Sequence, residues 1–216
     1  MTTTPSSTRP TTTTQDRRTI LRTAAWSVPI VSLAAVTPAH AASGPCAPVN
    51  VSYSSGNWTT AFAGTTSSGT CGGVQPEASG RYWLWCDAPA ASNYTMTRTV
   101  TFSVVAGTTY SIAYSMQANQ GAPTPSSGQT LTIAIGYATP TTVKTYQSQT
   151  GLLAGATLLP NAGTGGANFS VVNDDFDFTA ATTGTVTLTY THTARARGSA
   201  VSTDDIGISA PTISCA

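Results

Sequence analysis

The chain has 216 residues, only 8% of them charged, with a formal net charge of +1, and it carries 19 glycines, 13 prolines and four cysteines. So little charge offers no basic field for a phosphate backbone, which excludes nucleic acid as a partner. Sparse charge beside abundant Thr, Ser, Gly and Ala points to an extracellular all-β protein rather than a cytosolic enzyme.

Residues Met1 to Gln15 are Thr, Ser and Pro with a single arginine, a composition with too little apolar surface to offset the entropy of ordering. A basic stretch around Arg17, Arg18 and Arg22 follows, then the mildly apolar run Thr23 to Val36, then Pro38-Ala39-His40-Ala41. Small residues at the last and third-last positions are what a signal peptidase needs, so residues 1–41 read as a signal peptide cleaved after Ala41. The apolar run is shorter than the ~20 residues a bilayer requires and is interrupted by Pro29, which argues against a permanent anchor. The segment Asp16-Arg17-Arg18-Thr19-Ile20-Leu21-Arg22 resembles the twin-arginine export signal, with Ile20 and Arg22 as conservative departures and Asp16 in place of a small polar residue. General secretion is the rival route. The run from Arg22 through Trp26 to Pro29 is similar to signal peptides of exported actinobacterial surface proteins.

The expected working part is then residues 42–216, a single domain, secreted or held in the cell envelope. It has five basic side chains against seven acidic ones, hence a net charge of −2. Its longest apolar stretch, residues 151–160, is too short to span a membrane. All four cysteines (Cys46, Cys71, Cys86 and Cys215) lie beyond the cleavage site, where an oxidising compartment favours disulfides. Cys46 and Cys215 sit near the two ends of this part while Cys71 and Cys86 bracket a short Gly-rich loop, so the preferred pairing is Cys46–Cys215 with Cys71–Cys86. A zinc site is the weaker reading, because no Cys-x-x-Cys pair or nearby histidine is present.

Strict alternation of apolar and polar residues marks half-buried strands. Short strands are predicted over residues 49–53, 58–62 and 82–85. Val100, Phe102 and Val104 then share one face, and after Ala106-Gly107-Thr108 the pattern resumes with Tyr110, Ile112, Tyr114 and Met116. That spacing predicts a β-hairpin. Further strands are predicted at Leu131 to Tyr137, Thr142 to Tyr146, Phe169 to Phe178, Val186 to Tyr190 and Ile206 to Ile208. About ten strands with no helix predict an antiparallel two-sheet β-sandwich.

Three segments carry a resemblance: Thr101 to Tyr114 with its Val-Ala-Gly-Thr-Thr-Tyr core, Gln129 to Tyr137, and Asp204-Asp205-Ile206-Gly207-Ile208. Together they resemble the jelly-roll sandwiches of carbohydrate-binding modules and galactose-binding-like domains. The resemblance implies a jelly-roll fold, a polysaccharide or cell-wall glycan as partner, and a structural calcium held by an Asp at the start of the last strand, the position of Asp205.

Five of the seven acids cluster at Asp174, Asp175, Asp177 and at Asp204, Asp205. Hard oxygen ligands in such numbers suit calcium, and Asp204 and Asp205 are the expected carriers. The competing reading is that these acids cap loops and solubilise strand ends. Arg81-Tyr82-Trp83-Leu84-Trp85 sets Arg81, Trp83 and Trp85 on one strand face. Flat rings stack on sugars and a guanidinium donates to hydroxyls, so these three form the candidate ligand surface, with core packing as the alternative. His192 is in phase with the inward Val186, Leu188 and Tyr190, which favours a structural histidine. Without a partner base or nucleophile motif, no catalytic residue is assigned. The reading is a non-catalytic carbohydrate-binding or adhesive module, with a structural surface component, or a small hydrolase, as alternatives.

Overall fold

In the computed structural model the described residues are 49, 51–53, 56–64, 81–84, 87–119, 126–160, 170–200 and 202–216, with the Trp83 side chain left out. All of them belong to one compact unit, Cys46–Ala216. The proposed signal peptide and its cleavage site lie outside them.

The strands are β1 (Thr59–Ala63), β2 (Arg81–Trp83), β3 (Tyr94–Val104), β4 (Thr109–Asn119), β5 (Ser126–Ser127), β6 (Gln129–Gly136) and β7 (Thr141–Gln147). After them come β8 (Thr157–Leu158), β9 (Val172–Thr179), β10 (Gly184–Ala194), β11 (Ser202–Thr203), β12 (Asp205–Ser209) and β13 (Thr212–Cys215). A six-stranded sheet has the order β1-β3-β10-β6-β7-β8. In the second sheet β4 is central: β9 lies along one edge, while β13 and then β12, followed outward by β2, line the other. The short pair β11–β5 is parallel.

Alternation explains why these segments become strands and how they pack. Along β3 every second residue from Tyr94 to Val104 is buried, and along β10 every second residue from Val186 to Ala194. Their inward side chains meet Tyr110, Ile112, Tyr114 and Met116 of β4 and Ile206 and Ile208 of β12 in one core. Each fully buried aliphatic side chain there contributes about 1.5–3 kcal/mol of burial. A satellite cluster of Leu84, Ala88, Tyr94, Met96 and Ala194 closes one end. The result is an all-β, two-sheet sandwich.

The predicted hairpin is not formed. β3 pairs with β1 and β10, whereas β4 pairs with β9, β12 and β13, so the chain crosses from one sheet to the other through residues 105–108. The Gly107 N–H donates to the Ala180 carbonyl at 2.7 Å, the Ala180 N–H returns a bond to Thr108 at 3.0 Å, and the Val105 N–H donates to the Tyr110 hydroxyl at 2.8 Å. The two bonds with Ala180 tie the crossing to the β9–β10 turn instead of closing a β3–β4 ladder. Gly107 has φ +77°, a left-handed conformation that glycine adopts without steric cost.

Other corrections are local. Of residues 49–53, predicted as a strand, the described ones contribute an antiparallel bridge between Val49 and Ile213. β13 was not predicted, because Pro211 and the short run Thr212–Cys215 obscure its alternation. Gly64, just after β1, has φ +96°, and a Cβ there would lie 2.7 Å from the Asn93 carbonyl oxygen, so the chain can leave β1 this close to β3 only with glycine.

Candidate functional site

The outer face of the second sheet carries a groove of about 430 Å³. Ser111, Ala113 and Ser115 form its floor, since they alternate with the buried Ile112, Tyr114 and Met116 on β4. Asn173 and Asp175 of β9, opposite Ser115 and Ala113, form one wall, and Ser209, Ala210 and Thr212 form the other. The groove lies where the neighbour of β4 changes. β12 pairs with β4 down to Met116 and β13 takes over at Ala113. At the junction the Ser115 N–H is met by the Ser209 hydroxyl at 2.9 Å instead of a strand carbonyl. The space is lined by small and hydroxyl-bearing side chains with an exposed carboxylate and an exposed amide, and Ala113 leaves the floor low enough for a flat ring.

Arg81 does not line this groove but holds Ser115 at its edge. It lies on β2 opposite Ser209; its Nη2 donates to Ser115 Oγ at 3.0 Å and its Nη1 to Gln117 Oε1 at 3.3 Å. The Arg81 Nε is buried without a partner. The backbone of Trp83 pairs with Gly207. Its side chain, and all of Trp85, lie outside the described residues. Asn173, Ser115 and Ser209 were missed as site residues because polar residues on the solvent face of a strand carry no distinguishing sequence signal. Only the alternation of Asn173, Asp175 and Asp177 against Phe176 and Phe178 marks that face.

The acidic run of β9 divides between the two faces. Asp175 and Asp177 are exposed on the outer face, while Asp174 turns toward the first sheet. Lys144 Nζ donates to both Asp174 oxygens at 3.0 and 3.1 Å, the Asp175 N–H donates to Oδ1 at 2.8 Å, and the Tyr146 hydroxyl donates to Oδ2 at 2.5 Å. Because a carboxylate only accepts, the 2.6 Å contact between Tyr114 and Tyr146 must run from the Tyr114 hydroxyl to the Tyr146 oxygen. Burial works to raise the Asp174 pKa, but the bonds from Tyr146, Lys144 and the Asp175 N–H outweigh it and hold the carboxyl below its ordinary value. Burial pushes both tyrosines well up, so they remain protonated donors.

The expected calcium carriers stand at the start of β12. Asp204 is fully buried, with Oδ1 accepting from Ser126 Oγ at 2.6 Å and Oδ2 from Gln149 Nε2 at 2.8 Å. Neutral donors thus occupy both oxygens. Asp205 opens β12 opposite Asn119. Among the described residues no group of three or more His, Cys, Asp or Glu side chains is placed to hold a metal ion. Asp204 pins β5 and the turn after β7 to the start of β12.

His192 is completely buried, as its phase with Tyr190 predicted. Gln129 donates through Nε2 to the Leu84 carbonyl and accepts through Oε1 from the Ile206 N–H at 2.7 Å. The Nδ1 of His192, 3.5 Å from that same Oε1, therefore carries the proton. Burial, with the nearby Arg98 charge, lowers the His192 pKa to about 3, so the ring is neutral and sealed from any substrate. Cys215 is disulfide-bonded; Cys46, Cys71 and Cys86 lie outside the described residues, and so does the identity of its partner.

No known protein family matches the chain by sequence profile, and no curated protein matches it. Among solved structures it is similar, at a TM-score of 0.40 and 15% identity over 78% of this chain and 94% of the other, to one described as CBM4 structure and function. A TM-score of 0.38 and 10% identity, over 74% of this chain and 90% of the other, relates it to TmCBM61 in complex with beta-1,4-galactotriose. At the same TM-score and 11% identity it is similar to the enzymatically active domain of bacteriophage CBA120 tailspike protein 4, over 74% of this chain and 20% of that one. Likeness at this level assigns neither a ligand nor an activity.

Proposed function

We propose that this protein is a non-catalytic, exported carbohydrate-binding or adhesive module that takes its glycan in the groove between β9 and the β12–β13 junction. The observation that carries this reading is the groove itself. An exposed carboxylate and amide (Asp175 and Asn173) and the hydroxyls of Ser111, Ser115 and Thr212 converge around the low floor at Ala113, and the Arg81 guanidinium holds Ser115 at its edge. Sugar hydroxyls both donate and accept, and such a mixed set satisfies them. Trp83, on β2 two residues after Arg81, and Trp85 are the proposed stacking residues, by the alternation of the sequence alone.

A glycan array and pull-down on insoluble polysaccharides with the secreted protein test this. Asp175→Ala and Asn173→Ala should each weaken a hit by about tenfold or more, as expected for loss of hydrogen bonds of about 1.5 kcal/mol or more. Both side chains are exposed, so melting should be unchanged. Trp83→Ala and Trp85→Ala should weaken it further. Binding that survives all four variants would remove the groove as the site.

A second reading, a structural surface component, is favoured by the opposite face of the molecule. On the six-stranded sheet Thr95, Thr97, Thr99 and Thr101 of β3 stand directly opposite Thr193, Thr191, Thr189 and Thr187 of β10. This charge-free hydroxyl and methyl array suits packing against a like surface. It predicts a blank array.

A further inference from the structure

Taken as the glycan site proposed above, the groove has a polarity that narrows the sugar it accepts. Strand register lays three exposed side chains in one row across its centre: Asp175 of β9 and Thr212 of β13 stand on either side of Ala113 of β4, each directly opposite it. Neighbouring strands lie about 4.8 Å apart, so the carboxylate and the hydroxyl flank the Ala113 floor with about 10 Å between their strands, room for a pyranose ring laid flat on the methyl group. A ring in that position turns the substituents of one edge toward Asp175 and those of the other toward Thr212.

Among the described residues no basic side chain pairs with the Asp175 carboxylate. Residues 42–216 contain only Arg81, Arg98, Lys144, Arg195 and Arg197 as bases. Lys144 is held by Asp174 and Arg197 pairs with Asp87. Arg98 is buried among the rings of Tyr53, Trp58 and Tyr82, and Arg195 follows β10 in the other sheet. Arg81 stands behind the opposite wall, on β2 beside Ser209, with its terminal nitrogens donating to Ser115 and Gln117. Asp177, exposed two residues further along β9 and opposite Ser111, adds charge of the same sign as Asp175. The β9 wall is therefore negative with no counter-charge on it. A carboxylate only accepts, and a hydrogen bond to it from an ammonium is charge-assisted on both sides, stronger than one from a neutral hydroxyl or amide. The same wall repels a uronate or a sulfate.

We infer, on the reading that the groove binds a glycan, that it selects sugars bearing a free amine, of the glucosamine class, and rejects acidic ones. The ring rests on Ala113, its ammonium donates to Asp175, and the hydroxyls of its other edge meet Thr212 and Ser209. N-acetylation of the amine removes the charge and leaves a single amide donor in its place, so the acetylated sugar loses the interaction that Asp175 supplies.

Calorimetric titration of the secreted protein with a glucosamine tetrasaccharide and with its N-acetylated counterpart tests this, at low ionic strength and about pH 5.5, where a sugar amine is protonated. The amine form should bind about tenfold more tightly. In Asp175→Asn, which keeps the shape of the side chain and removes its charge, that ratio should fall toward one. Asp177→Asn removes the same charge outside the groove and should lower the ratio by no more than about twofold. A wild-type ratio near one, or a ratio that Asp177→Asn lowers as far as Asp175→Asn does, would overturn the amine preference while the glycan site stood. Binding confined to neutral or acidic glycans would do the same. If neither tetrasaccharide binds and the glycan array is blank, the glycan site falls and the amine preference with it.

Discussion

Tyr146 of the six-stranded sheet donates its hydroxyl to Asp174 of the other sheet, and Lys144, two residues before Tyr146, grips the same carboxylate. This clamp joins β7 to β9, which share no backbone ladder. Tyr146→Phe removes the donor and leaves the Tyr114 hydroxyl without its acceptor. The variant should lose about 1–3 kcal/mol in urea unfolding at neutral pH. Because the Asp174 pKa is lowered on folding, its contribution is present above the ordinary carboxylate value and disappears as pH falls through the folded value, below about pH 4. The gap between wild type and Tyr146→Phe should therefore narrow under strong acid. A gap independent of pH would show that the carboxylate is not the acceptor that matters.

His192 makes a prediction in a milder range. Its folded pKa of about 3 lies below the ordinary value of 6.5, so the unfolded chain takes up a proton that the folded one refuses. Stability should be fully present above pH 6.5 and fall on acidification by up to about 1.4 kcal/mol per pH unit between there and pH 3. In His192→Leu that slope should flatten between pH 6 and 4, measured by urea midpoints. An unchanged slope would place the acid sensitivity elsewhere.

The disulfide framework is proposed as Cys46–Cys215 and Cys71–Cys86. The antiparallel bridge between Val49 and Ile213 supports the first pair, because Cys46 lies three residues before Val49 and Cys215 two residues after Ile213. Non-reducing peptide mapping should recover that pair, and Cys215→Ser should cost about 2–5 kcal/mol. Recovery of Cys215 linked to Cys71 or Cys86 would overturn the arrangement.

Much of this fold was legible along the chain. Val100, Phe102 and Val104, and Tyr110, Ile112 and Tyr114, face the core as their alternation predicted, and His192 is buried in phase with Tyr190. Of the proposed ligand surface, Arg81 meets the groove through Ser115. Asn173, Ser115 and Ser209 were not legible, since a solvent-facing serine or asparagine reads the same whether or not a neighbouring strand leaves a gap beside it.

Period-two alternation is a local property, imposed by the pleat on each strand alone, and it determined strand identity, inward faces and the all-β class from the sequence itself. Pairing is not local. The same pattern in β3 and β4 is satisfied by a hairpin in one sheet or by a crossing between two, because either buries the same side chains. Only the tertiary structure decided for the crossing, through the bonds from Gly107 and Thr108 to Ala180. The same long-range choice brought Asp174 to Tyr146, opened the groove at the β12–β13 junction and enclosed Arg98 among three rings from distant segments.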